Sequence, residues 1–273
     1  MEALLSSDHV HFAYPGQEAS LTDISFAVSA GERVALLGAN GSGKSTLLHL
    51  LDGLYFPQQG SVQALGQTLT ESALEGTAFA RQFRQEVGFL FQNSEAQLFS
   101  ASVEDEIAFG PLQLGWPSED IRRRIGDVLQ VLEIPHLRQR VPQRLSNGEK
   151  KRVALASLLV MSPSVLLLDE PTAGLDPRSQ SLLLDLLEGL HRTGLTLVTA
   201  THDLTLLPHL ADRALVLSED HRLVADAPAA DVLADTELLL SVNLIHAHRH
   251  WHGEVLHEHA HQHITGHEHP HEQ

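Results

Sequence analysis

The octapeptide Gly38-Ala39-Asn40-Gly41-Ser42-Gly43-Lys44-Ser45 constrains this chain more than any other segment. It follows the short apolar run Arg33–Leu37 and opens a helix-forming run over 44–53. Its glycines allow backbone angles that turn successive N–H groups inward, which makes a cradle for an anion. The helix that follows adds the positive end of its dipole. The spacing is G-x-x-x-x-G-K-[ST], and a strand before it with a helix after it is the context that gives the pattern meaning. Lys44 is then placed to reach the outer phosphates of a nucleotide, and the Ser45 hydroxyl to bind Mg²⁺. Gly38, Asn40, Gly41, Ser42, Gly43 and Thr46 complete the expected nucleotide cradle.

A strand feeding such a loop belongs to an α/β domain. Further short apolar runs at Glu86–Phe91, Val165–Leu168, Thr196–Thr201 and Ala214–Leu217 read as buried strands of a mostly parallel sheet. Helices are expected at 118–133, 148–161, 177–192 and 229–241. The stretch 93–163 holds no convincing strand and reads as an inserted helical subdomain. With 273 residues, 42% of them hydrophobic, the chain can bury a sizeable core. Its net charge of −17 argues against a nucleic-acid partner. It has no cysteine, which excludes disulfides and thiolate metal sites. No apolar run is long enough to span a membrane, and Met1-Glu2-Ala3 does not open a signal peptide, so a soluble cytoplasmic chain is expected.

The run Val165–Leu168 ends in Asp169-Glu170. A carboxylate at the C-terminal edge of an open α/β sheet sits where ligands bind. Asp169 is expected to help hold Mg²⁺, and Glu170 to polarise the attacking water. His202 ends another strand and faces the same edge, in reach of a γ-phosphate.

With these residues in hand, Leu145-Ser146-Asn147-Gly148-Glu149 resembles the Leu-Ser-Gly-Gly-Gln signature of ATP-binding cassette (ABC) ATPases. The resemblance covers roughly residues 5–228. It implies a P-loop NTPase of the ABC type, in which a mostly parallel core sheet carries an antiparallel β subdomain and an inserted helical subdomain. It implies ATP and Mg²⁺ as cofactors and a head-to-tail dimer, in which Ser146 and Gly148 close over ATP held by a second ABC ATPase subunit. Tyr14 matches the residue that stacks on adenine. Gln92 matches the Q-loop glutamine, which touches Mg²⁺ and the water. Ala173–Asp176 matches the D-loop and His202 the switch histidine. Two positions depart from the family. Asn147 replaces a glycine, and Asn tolerates left-handed backbone better than most residues. Glu149 replaces glutamine and brings a negative charge to a phosphate site.

The segment Phe91–Phe99, followed by Ser102–Pro111, is similar to the ATPase subunits of energy-coupling factor importers. There it forms the surface on which transmembrane subunits dock. Leu98, Phe99, Ile107 and Phe109 are candidate apolar contacts, with Glu104 to Glu106 at the rim. Most of these could equally be core. The resemblance places the chain at the cytoplasmic face of a membrane, as a peripheral subunit.

Of the 19 histidines, eleven crowd into His246, His248, His250, His252, His257, His259, His261, His263, His267, His269 and His271. This composition break divides an ATPase domain, 1–244, from a tail, 245–273. The tail is expected to have no fixed fold without metal. Imidazoles without thiolates suit Ni²⁺, Co²⁺, Zn²⁺ or Cu²⁺. A solvated tail without function and a tail that responds to pH remain alternatives. Joined to the resemblance, the tail points to import of nickel or cobalt, with vitamin import as the other cargo of that group.

Overall fold

A computed structural model describes residues 3–252 and 255–262, with side chains up to residue 246. Chain order begins with two long antiparallel strands, β1 (Ala3–Ala13) and β2 (Ala19–Ser29). Then come β3 (Arg33–Leu37), helix α1 (Lys44–Leu51), and the short strands β4 (Gln59–Ala64) and β5 (Gln67–Thr68). Helices α2 (Glu71–Leu74) and α3 (Ala78–Glu86) lead into β6 (Val87–Leu90). Three helices follow: α4 (Val103–Gln113), α5 (Ser118–Val131) and α6 (Asn147–Leu159). The core resumes with β7 (Val165–Asp169), α7 (Pro177–Arg192), β8 (Thr196–Thr201), α8 (Leu207–Leu210), β9 (Arg213–Leu217) and β10 (Leu223–Pro228). Last are α9 (Ala229–Ala234), α10 (Thr236–Ser241), β11 (Ile245–His252) and β12 (Val255–Gln262).

The core sheet has strand order β10-β9-β3-β8-β7-β6, and only its β10 edge is antiparallel. β7 and β8 are buried at every position, as strands covered on both faces must be. A second sheet, ordered β2-β1-β4-β5, is wholly antiparallel. β2 alternates buried and more exposed positions, so one of its faces packs and the other meets water. A large apolar cluster joins this sheet to α1 and the core sheet through Leu21, Ile24, Leu36, Leu47 and Leu50. Ile107, Ile121, Ile125, Val153 and Leu168 belong to a second cluster, which fastens α4, α5 and α6 to the other face.

The helix expected over 229–241 is two helices. Asp235 interrupts it with an extended ψ of 84°, and its carboxylate caps α10 by accepting from the Leu238 N–H. The capping preference of Asp outweighs continuation of the apolar period. α4, which the sequence left unassigned, starts at Ser102, whose hydroxyl accepts from the Asp105 N–H. The tail begins as an antiparallel hairpin of β11 and β12. His263, His267, His269 and His271 lie outside the described residues.

Candidate functional site

β3, β8, β7 and β6 are parallel and adjacent in that order, so their C-terminal ends share one edge. That edge carries, in sequence across the sheet, the loop 38–45, His202, the pair Asp169-Glu170, and Gln92. Pairing of Leu37 with Thr201, Asp169 with Ala200 and Leu90 with Leu168 fixes the alignment. Topology alone thus gathers residues that are up to 164 positions apart, from Gly38 to His202.

Two glycines of the loop, Gly38 and Gly43, are sterically required. A Cβ on Gly43, whose φ is +106°, would lie 2.5 Å from the Ser20 carbonyl oxygen. On Gly38 it would meet Ser42 Oγ at 2.4 Å and the Leu217 oxygen at 2.7 Å. Lys44 is buried, and its Nζ donates to the carbonyls of Gly38 (2.8 Å) and Ala39 (3.0 Å). Burial lowers its pKa, while Glu170 and Asp169 push it back up. Ser45 is the second residue of α1, directly after Lys44 and two residues past the N-cap Gly43. The Tyr14 ring stands edge-on to Phe12 (5.0 Å) and Tyr55 (5.4 Å), and its hydroxyl is 3.3 Å from Thr46 Oγ1. Sequence reasoning missed Tyr55, whose only signal was an aromatic just after the helix.

Glu170 is buried with φ at +43°, a left-handed angle that costs a non-glycine residue energy. Its N–H bonds the Ala200 carbonyl, and its Oε1 lies 2.7 Å from His202 Nδ1. Strain held in place by the Ala200 carbonyl of β8 and by His202 just after that strand fits a group that must be aimed. Asp169 is also buried, and its Oδ1 has no hydrogen-bond partner among the described residues. An orphaned carboxylate oxygen at this edge suits a hard cation, with the Ser45 hydroxyl and Gln92 as further oxygen donors.

Lysines on the first turn of α6 tie the signature segment to the loop after β6. Lys151 Nζ donates to the Gln92 carbonyl at 3.0 Å, and Lys150 pairs with Glu95. Burial pulls Lys151 down to about 8, against the opposing charges of Asp169 and Glu170. Neither lysine was singled out in the sequence, since a basic helix start usually marks a solvated face.

Ser146 caps α6 in a full capping box. Its hydroxyl accepts from the Glu149 N–H (3.4 Å), while Glu149 Oε2 accepts from the Ser146 N–H and hydroxyl, both at 2.8 Å. These bonds lower the Glu149 pKa. Asn147 is the first residue of α6 and is absent from the left-handed residues, so its tolerance of such angles is not what admits it. A Cβ on Gly148 would come within 2.9 Å of Ser179 Oγ, so the glycine also lets α6 approach the start of α7.

The segment after Gln92 divides in two. Leu98 and Ile107 are core, whereas Phe99 and Phe109 are 62% and 44% exposed, with rings 4.9 Å apart. Glu106 is not at a rim. It is buried, and its Oε2 accepts from the N–H groups of Phe99 (2.9 Å) and Ser100 (2.8 Å). Glu104 pairs with Arg138.

The sequence pattern of the ABC transporter family matches residues 21–173. The chain belongs to the ABC transporter family. As a member it is an ATPase subunit whose ATP hydrolysis is coupled to transport. It is 52% identical to the nickel import ATP-binding protein NikO of Rhodobacter capsulatus over 86% of this chain and 93% of that protein. The cobalt import ATP-binding protein CbiO of the same organism is 44% identical, over 88% and 84%. Among solved structures, cbiO1 of Clostridium perfringens, part of the ABC transporter complex cbiONQ, matches with a TM-score of 0.76. It has 35% identity, covering 89% of this chain and 96% of that one. A dimeric cassette, MJ0796 bound to ADP and Pi, matches with a TM-score of 0.73 at 25% identity, over 82% and 98%. The expected fold class therefore holds in both its sheets and its inserted helices. Among the described residues, no helix is long and apolar enough to cross a membrane.

Proposed function

We propose that this chain is the ATPase of an importer for nickel or cobalt, working as a peripheral subunit at the cytoplasmic face of the membrane. One observation carries the chemistry. Glu170 stands strained and buried beside His202, at the sheet edge where the phosphate loop opens. In this reading the loop N–H groups and Lys44 neutralise the outer phosphates. Glu170 draws a proton from the attacking water. His202 holds the Glu170 carboxylate and contacts the γ-phosphate. Tyr14 stacks on the adenine. Ser45, Gln92 and Asp169 would hold Mg²⁺, which supplies charge to offset that developing on the phosphates. Ser146 and Gly148 act on the nucleotide of a second ABC ATPase subunit, an arrangement supported by the likeness to a dimeric cassette.

The cargo rests on the relatives. The nickel protein is the more similar of two from one organism, by 52% against 44% identity, which favours nickel. The exposed Phe99–Phe109 pair is the docking face for a short apolar helix of the transmembrane subunit. Glu106 clamps the backbone of that face, and the Lys150 and Lys151 bonds link the loop before it to the signature helix. Movement at the membrane partner can thus reach both ATP sites.

Uptake of radiolabelled nickel and cobalt, in cells producing the whole transporter, tests the reading. Nickel should accumulate with wild-type protein and fall to background with Glu170→Gln. Equal uptake with both proteins, for both metals, would refute metal import as the function.

A further inference from the structure

A cavity of about 380 Å³ lies beside the catalytic edge, walled by the loop 92–95 after β6, the start of α6 and the loop 173–175 before α7. Of the residues assigned to hydrolysis, Gln92 alone lines it; the phosphate loop, Asp169, Glu170 and His202 do not. Lys150 and Lys151 also line the cavity and are buried, at 8% and 4% exposure. Buried ammonium groups are rare unless they are paired. Lys150 has its counter-ion in Glu95, on the same wall. Lys151 differs. Among the described residues its Nζ makes one hydrogen bond, to the Gln92 carbonyl at 3.0 Å, of the three that an ammonium can donate. Asp169 and Glu170 act on it only through space. Ser94, 6% exposed, lines the same cavity, and its Oγ has no hydrogen-bond partner among the described residues. Asn147 brings the first turn of α6 to the wall, and with it the positive end of the helix dipole.

We propose that this cavity binds inorganic phosphate and receives the phosphate that ATP hydrolysis releases. A buried ammonium with donors left over, a buried hydroxyl without a partner and a helix N-terminus together suit an oxyanion. An apolar occupant would leave the ammonium and the hydroxyl unsatisfied, at the usual cost of burying polar groups. Liquid water takes about 30 Å³ per molecule, so the cavity admits one tetrahedral oxyanion with several waters around it. Its position favours the product over a separate effector. Hydrolysis transfers the γ-phosphoryl group to water and leaves ADP and phosphate at the sheet edge. Gln92 borders both that edge and the cavity. The phosphate therefore has only the Gln92 segment to pass, and Lys151 holds the carbonyl of that segment. In the cavity it is no longer in line with ADP for the reverse transfer. The role rests on ATP hydrolysis and is independent of the cargo.

The test saturates the purified full-length chain with Mg²⁺ and the non-hydrolysable analogue AMP-PNP, so that the phosphate loop is filled. Radiolabelled phosphate is then dialysed against it to equilibrium. Wild type should bind one phosphate per chain. Lys151→Met should weaken that binding about tenfold or more, and Ser94→Ala about threefold or more. Lys151→Arg, which keeps the cation, should stay within about threefold of wild type. AMP-PNP binding, equal in all four proteins, controls for folding. No phosphate on wild type, or a Lys151→Met protein that binds AMP-PNP and phosphate as wild type does, would overturn the site. Should Lys151→Met fail to bind AMP-PNP, unchanged phosphate affinity in Ser94→Ala overturns it instead. A second arm separates product from phosphate of the medium. In a single turnover of γ-labelled ATP, cleavage is read by acid quench and free phosphate by a fluorescent sensor. Free phosphate should lag behind cleavage in wild type, and the lag should shorten in Ser94→Ala. Release in step with cleavage in wild type would refute the product role. Neither arm depends on which residue activates water, so a failure of Glu170 as the base is read separately, from the Glu170→Gln rate.

Discussion

Glu149 shows how one residue changes the work of a site. Where the family has glutamine, this chain puts a carboxylate that holds both the N–H and the hydroxyl of Ser146. The Ser146 hydroxyl hydrogen is therefore committed within its own chain. To reach a partner's γ-phosphate, it must leave an anion that would itself be repelled by that phosphate. Glu149→Gln removes the repulsion and keeps an acceptor for the capping box. ATP-driven dimerisation, read by sedimentation in a Glu170→Gln background, should tighten several-fold. Stability should fall by no more than the charge–dipole contribution of about 0.3–1 kcal/mol. Unchanged association would show that the Glu149 carboxylate does not restrain Ser146. Asp52 offers a second case. It follows the last turn of α1, and burial pushes its carboxyl up to about 8. The unfolded chain releases that proton near pH 4. Between roughly pH 4 and 8 the folded state thus holds the extra proton, and stability falls as pH rises. Asp52→Asn should raise the thermal midpoint at pH 7.5 by about 2–4 °C for each kcal/mol recovered, and the gain should vanish near pH 4. A midpoint unmoved at pH 7.5 would contradict the burial.

At the scale of elements, the five parallel strands of the core were readable because each is apolar and bounded by turn residues, whereas the edge strand β10, which alternates half-buried and exposed positions, was not. β3 and β8 run over the very residues that their apolar runs predicted. Loop 38–45 was equally plain, since its spacing and its flanking elements have one common structural solution. The segment 93–113 was not. Periodicity cannot say that Ile107 is core while Phe109, two residues on, is exposed. Nor can it say that Glu106 faces inward, because only the fold supplies the two N–H groups that satisfy it. The pairing of the histidine strands was likewise invisible, since register is a property of two segments together. Coupling belongs to this scale. Replacing both Phe99 and Phe109 by Ser removes exposed apolar surface and no core. The purified subunit should hydrolyse ATP at the wild-type rate, while co-purification with the membrane subunits and metal uptake fall by at least tenfold. Retained uptake would place the docking face elsewhere.

For the whole molecule, the sheet order sets the function. Four parallel strands bring the phosphate loop, His202, Asp169-Glu170 and Gln92 to one edge. Lys150 and Lys151 then join the signature helix to that edge at Gln92 and to Glu95 in the loop after β6. The central claim is that Glu170 is the group that activates water. Steady-state phosphate release by the purified chain, wild type against Glu170→Gln, tests it most directly, with ATP binding measured alongside. Loss of a general base costs about 10²–10⁴-fold, so hydrolysis should fall by at least a hundredfold while ATP binding persists and the ATP-bound dimer accumulates. Hydrolysis at the wild-type rate in that variant would contradict the account.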